Sequence, residues 1–196
     1  MKFKSFLCPV ILVLAVLTGC NGTGIPPSGT LTFSFEEDLE GWVANGTDLD
    51  NPPVEWSIER SRDIASDGKT AVRLYLNNMN DAGKIWVERR FYGEPNRVYQ
   101  VHVEYDFASA DWGDMNLWTI ITGVMPEPSK TELLFQGDTG NNATPEEGFV
   151  WLRKCHDFSV ESGPDGSAYV MIGVWGNWET ARTYYIDNVI ISFTVK

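Results

Sequence analysis

The chain has 196 residues, with 15 Lys and Arg against 27 Asp and Glu, a formal net charge of -12. That length supports one domain with a sizeable core. The acidic balance excludes nucleic acid and anionic lipid headgroups as partners and leaves calcium or neutral ligands open.

Lys2 and Lys4 open the chain, and Phe6 to Leu17 form an apolar run interrupted only by Pro9. The run is too short to anchor comfortably across a bilayer and reads as a secretory signal. Leu17-Thr18-Gly19-Cys20 then places a small residue before a cysteine, which resembles the lipobox of bacterial lipoprotein signal peptides. The resemblance implies a signal over residues 1–19, cleavage before Cys20, and lipid on its thiol and amino group. Several acyl chains on one residue hold a protein at a membrane where one would be marginal. Asn21, in place of an inner-membrane aspartate, favours the outer membrane, facing the periplasm or the cell surface. Residues 20–30 are then a lipidated cysteine and a flexible Gly/Pro/Ser/Thr tether, and residues 31–196 one domain. Cys8 leaves with the signal and Cys20 carries lipid, so Cys155 has no partner for an intramolecular disulfide. Within its β-like run it reads as a buried or half-buried structural thiol.

Beyond the tether, short β-rich runs recur between Gly, Pro, Asn and Asp. Strands are expected near residues 31–36, 54–60, 70–76, 83–91, 97–107, 115–123, 147–158, 167–175 and 183–195. Turn signals separate them: Asn51-Pro52-Pro53, Asp67-Gly68, the stretch 80–83, the stretch 93–96 and the stretch 163–166. Many strands without helical periodicity imply an all-β antiparallel sandwich or barrel. Alternation assigns faces. Tyr99, Val101, Val103, Tyr105 and Phe107 point to the core, opposite Gln100, His102, Glu104 and Asp106. Ile85, Val87 and Phe91 oppose Trp86, Glu88 and Arg90, with Arg89 breaking the inward pattern at a bulge or at the end of the buried segment. Ala168, Val170, Ile172 and Val174 oppose Tyr169, Met171 and Trp175, a central strand with an aromatic-lined outer face.

Three separated pieces resemble the calcium-containing jelly-roll carbohydrate-binding modules of the galactose-binding-like fold. Residues 33–42 carry a Phe-Glu then Gly-Trp pattern (Phe35-Glu36, Gly41-Trp42). Residues 66–74 carry a Gly-x-x-Ala-x-x-Leu turn and strand, and residues 184–191 carry Asp187-Asn188-Val189. The resemblance covers the whole of residues 31–195 and implies an antiparallel jelly-roll β-sandwich. It also implies a structural calcium, held by Glu36 and Asp187 carboxylates with side-chain or carbonyl oxygens from Asp67 and Lys69. Glu37 or Asp38 replaces Glu36 if the register slips by one. The competing reading has Glu36 and Asp187 capping strands and bonding loop amides.

The family's ligand residues do not transfer by motif. A sugar needs aromatic rings for its C–H faces and polar groups for its hydroxyls. Residues on the polar strand faces that meet this need are Trp86, Glu88, Arg90, Gln100, His102, Glu104, Asn116 and Trp118. In loops, Trp112, Trp175 and Trp178 stand among glycines and polar residues, where core packing explains them least; Trp42 and Trp56 read as buried. The leading expectation is a monomeric, lipid-anchored, non-catalytic protein that binds a polysaccharide or oligosaccharide. An adhesion module for a protein partner is a second. A glycoside-cleaving enzyme using Glu88, Glu104 or Asp106 is a third, without a Gly-x-Ser-x-Gly elbow, a phosphate loop or a histidine pair for zinc.

Overall fold

A computed structural model of the chain describes residues 24–25, 28–110, 118–128, 148–176 and 179–196. Among the described residues ten strands run in chain order: β1 (Ser28–Phe33), β2 (Val43–Thr47), β3 (Glu55–Ser61), β4 (Ala71–Asn77), β5 (Lys84–Tyr92), β6 (Val98–Ala110), β7 (Trp118–Met125), β8 (Phe149–Glu161), β9 (Ser167–Gly176) and β10 (Ala181–Val195). No helix occurs among the described residues. All strand pairs are antiparallel. One sheet has the order β3-β4-β10-β6-β8, with β1 also on β10, and the other β2-β5-β9-β7. The expected all-β sandwich is the architecture observed.

Nine of the strands fall close to the expected runs, whereas β2 was not expected. Val43-Ala44-Asn45-Gly46-Thr47 shows no apolar alternation and contains two poor strand formers. It forms because β5 offers it a template along the sheet edge. The first strand starts earlier than expected, inside the tether. Ile25 already donates its N–H to the Tyr92 carbonyl at 2.5 Å and packs on the core, and Ser28 already pairs with Thr194.

The core lies between the sheets. Val72, Leu74 and Leu76 of β4, Val101 to Phe107 of β6, and Tyr184 and Ile186 of β10 meet Ile85, Val87 and Phe91 of β5 and Val170, Ile172 and Val174 of β9. Burying one such side chain contributes roughly 1.5–3 kcal/mol. Tyr105 and Thr122, facing across the gap, satisfy each other's hydroxyls at 2.5 Å. Arg89 breaks no register, since β5 pairs with β9 continuously from Lys84 to Tyr92. Its guanidinium instead lies over the Phe33 ring at 4.5 Å and the Phe91 ring at 5.6 Å, near the sandwich margin. A stacked cation thus occupies an inward position without a bulge.

The bulge lies in β10. Asp187 pairs with Asp106 but Ile190 with Glu104, so one extra residue is inserted, and Asn188 takes φ +48 there. Asparagine tolerates that left-handed conformation better than most residues. The insertion inverts parity: Tyr184 and Ile186 face the core before it, Val189, Ile191 and Phe193 after it. At the same place β10 exchanges β4 for β1 as its neighbour. Cys155 departs from its expected burial. It pairs with Glu104 on the edge strand β8 and is exposed, because the outward positions of β8 are those next to the polar face of β6.

Candidate functional site

Two carboxylates grip one turn at the β10 bulge. Asp187, fully buried, accepts at Oδ2 the backbone N–H groups of Ser66 (2.8 Å) and Asp67 (3.0 Å) and the Ser66 hydroxyl (3.2 Å). Its Oδ1 accepts the Asn188 N–H at 2.7 Å. Glu36 accepts the N–H groups of Lys69 (2.7 Å) and Thr70 (3.2 Å). Between the two grips Gly68 adopts φ +66, and a Cβ there would overlap the Glu36 carboxylate. Burial pushes the Asp187 carboxyl up, against the amides it accepts. The Lys69 amide holds that of Glu36 below the usual range, against desolvation. A calcium ion needs six to eight oxygen ligands, but Asp67 and Lys69 present N–H protons here, and both Asp187 oxygens already accept hydrogen bonds. As placed, the two carboxylates meet the turn through its amides, which is the competing arrangement. Among the described residues no group of three or more His, Cys, Asp or Glu is placed to hold a metal.

The expected ligand residues divide between opposite faces of the sandwich. Trp86, Glu88 and Arg90 lie on the outer side of β5. Trp86 is fully buried with Ile121 and Met171, in a second apolar cluster flanked by Met125 and Trp175, so it is no solvent-facing platform. Glu88 is also buried. It accepts the Trp86 indole N–H at 3.3 Å and bonds the Asn45 side chain, and burial pushes its carboxyl up. Arg90 is ion-paired with Asp165 and lies over the rings of Tyr92 (4.3 Å) and Tyr169 (5.5 Å).

Gln100, His102 and Glu104 lie on the outer side of β6, in the other sheet. A polar row runs along this face. His102 Nδ1 is 2.7 Å from Asp157, His102 Nε2 is 3.6 Å from Glu104, and Arg153 bridges Glu104 (2.5 Å) and Asp106 (2.8 Å). Gln100 and His102 share a cleft of about 250 Å³ with Asp157, Phe158, Ser192 and Thr194. Glu88 and Glu104 cannot flank one glycosidic bond, since the sandwich separates them.

Trp118 belongs to the core, against Tyr184 at 5.6 Å between ring centroids, with the Arg182 guanidinium 4.6 Å over its ring. It is inward because β7 joins the smaller sheet with Ile120 and Val124 on the same side. Trp175 is half-buried. Its indole N–H donates to the Asp81 carbonyl at 3.2 Å, and Lys84 covers its ring at 5.0 Å. Cys20, Trp112, Asn116 and Trp178 lie outside the described residues.

A site that the sequence reading missed lies where β2 leads into β3. The segment 45–50 and Trp56 line an open cleft of about 420 Å³; of its polar residues, Asn45 is already bonded, its Oδ1 accepting the Gly46 N–H at 2.9 Å and its side chain bonding Glu88. Trp56, expected to be buried, is half-buried: it packs on the core and also faces the cleft. The rim is fixed from outside. Asn80 donates to the carbonyls of Asp48 (2.8 Å) and Pro52 (3.2 Å), Lys84 pairs with Asp48 at 2.7 Å, and Val54 N–H donates to the Leu49 carbonyl at 3.0 Å. The readable signal was a tryptophan three residues after a Pro-Pro turn and close to two aspartates. Its neighbours across the cleft belong to the unexpected strand.

No family model matches the sequence, and no curated protein matches it. Among solved structures, the chain is similar to the K2 cleaved adhesin domain of Lys-gingipain, with TM-score 0.53 and 15% identity over 86% of this chain and 99% of that one. It is also similar to the CBM22-1 xylan-binding domain of Paenibacillus barcinonensis Xyn10C, with TM-score 0.50 and 15% identity over 84% and 93%. At this identity the likeness establishes the fold: an antiparallel β-sandwich of the jelly-roll type, shared with carbohydrate-binding modules.

Proposed function

We infer that the protein is a non-catalytic glycan-binding lipoprotein, monomeric and held at the outer membrane by lipid on Cys20. The observation that carries the binding half is the preformed cleft at Trp56. There a ring that can stack on a sugar face stands beside hydroxyl- and carboxylate-bearing residues that can meet its hydroxyls. The jelly-roll fold shared with a xylan-binding domain supports the same reading. The carboxylates considered for glycoside cleavage support a non-catalytic role. Glu88 is on one face, while Glu104 and Asp106 on the other are tied by Arg153. The anchoring half rests on the lipobox-like residues 17–20.

A second reading, adhesion to a protein partner, is favoured by the likeness to an adhesin domain. One pair of experiments tests both halves. A glycan array probed with residues 21–196 should give saccharide hits; an array without hits overturns the glycan reading and leaves adhesion. Expression of the full chain and of Cys20→Ser should place the first in the membrane fraction with an acylated Cys20 and the second in the soluble fraction. Equal partitioning overturns the anchor.

A further inference from the structure

We propose that the β2–β3 cleft selects neutral or amino-bearing sugars and rejects uronate sugars. This rests on the glycan reading above and deepens it. Size comes first: about 420 Å³ lies within the range of small-ligand sites, roughly 300–1,000 Å³, and suits a short saccharide segment. The recognising surface is one indole, so the ligand must offer a flat apolar C–H face, as a pyranose does.

Charge decides among pyranoses. Two carboxylates line the cleft, and they are not equivalent. Asp48 is neutralised by Lys84, whose Nζ also donates to the Ala82 carbonyl at 2.9 Å and lies over Trp175. Asp50 is exposed and makes no side-chain hydrogen bond or ion pair with the described residues. The cleft therefore carries one uncompensated negative charge beside a stacking ring. A sugar hydroxyl donates readily to such a carboxylate, and an ammonium group pairs with it. A uronate carboxylate brings like charge to within a few ångströms and accepts where the cleft also accepts. Thr47 supplies the neutral complement, the Asn45 side chain being bonded to the Gly46 N–H and to Glu88. The bonds from Asn80 and Lys84 hold the rim in place, so little ordering is needed when ligand enters.

The test uses an array of immobilised neutral, glucosamine and galacturonate hexasaccharides. It is probed with residues 21–196 carrying the native sequence, Trp56→Ala or Asp50→Asn, with melting curves recorded alongside. Native protein should bind neutral and glucosamine oligomers, the latter more weakly as salt rises, and leave galacturonate unbound. Trp56→Ala should lose about tenfold or more in affinity. Asp50→Asn, which removes no packing, should keep the native melting curve, weaken neutral and glucosamine binding, and narrow the ratio of neutral to galacturonate binding. Galacturonate bound as well as the neutral oligomers by the native protein overturns the selectivity. Undiminished binding by Trp56→Ala overturns the cleft while leaving glycan binding in place. Loss of binding in a Trp56→Ala protein that melts early is decided by Asp50→Asn: an unchanged uronate preference there overturns the proposal. An array with no hit from any class overturns this inference and the function it rests on together.

Discussion

The Glu36/Asp187 clamp and the Trp56 cleft are built from the same materials, carboxylates beside loop backbone, and serve opposite ends. In the clamp both Asp187 oxygens and Glu36 Oε1 are turned onto N–H donors from residues 66–70 and 188, and solvent is excluded from Asp187. In the cleft the backbone bonds are made behind the rim, by Asn80 and between Leu49 and Val54, and of its two carboxylates Asp48 pairs with Lys84 while Asp50 is left facing solvent. Polar groups that satisfy one another hold a fold together, whereas polar groups held in place but left unsatisfied are available to a ligand. The clamp joins the segment after the first strand, the last strand and the turn before β4 without a disulfide. Among the described residues the one cysteine is unpaired and exposed.

The comparison is broken most directly by Asp187→Ala. It strands the part-buried amides of Ser66, Asp67 and Asn188 and empties a buried position, each left-over donor costing about 1–3 kcal/mol. Urea unfolding should show a loss of at least about 3 kcal/mol, and a loss below about 1 kcal/mol would mean that the turn finds other partners. Gly68→Ala comes next, since it strains a left-handed residue and pushes Glu36 off its amides. A cost of roughly 1–3 kcal/mol is expected in the same measurement.

Glu88→Gln sharpens the comparison, because Glu88 touches Asn45 behind the cleft yet is buried like the clamp. Its pKa is raised by burial, so folding favours its protonated form. The native protein then loses stability as pH rises from below the ordinary carboxylate range through the raised value, the unfolded chain ionising first. The two proteins should melt together in acid, with Glu88→Gln melting higher near neutrality. A constant offset at all pH values would count against it. The smallest effect is expected from calcium. With the clamp closed by amides, melting curves in calcium and in chelator should coincide, and a calcium-dependent rise would show that the turn rearranges to offer oxygens.

Much of the fold was legible because two-residue alternation survives into the core. The inward set Tyr99 to Phe107 and the outward set of Gln100, His102 and Glu104 are observed as read. The 66–74 turn and strand also sit where their glycine and apolar residues require. What was not legible depended on neighbours. Trp86 and Trp175 share the outer side of one sheet, yet Trp86 is sealed by Ile121 and Met171 while Trp175 is held half-open by Asp81 and Lys84. Nothing local distinguishes them. Arg89 read as a defect in a strand and is a cation stacked on two rings contributed by β1 and β5.

By itself the sequence determined the class of the molecule: an acidic chain of short alternating strands, with a lipobox-like start. Periodicity, turn chemistry and composition are local, and they need no knowledge of what lies opposite. Tertiary structure alone decided three things. It placed Glu88 and Glu104 on opposite faces, because their strands join different sheets. It turned Asp67 and Lys69 to present amide protons, because the left-handed Gly68 orients the turn. It left Trp56 half-buried at a cleft, because an edge strand without a sequence signature pairs with β5 and leads into a braced loop beside it. Each depends on the relative position of residues far apart in the chain, and single-strand patterning carries no information about that distance.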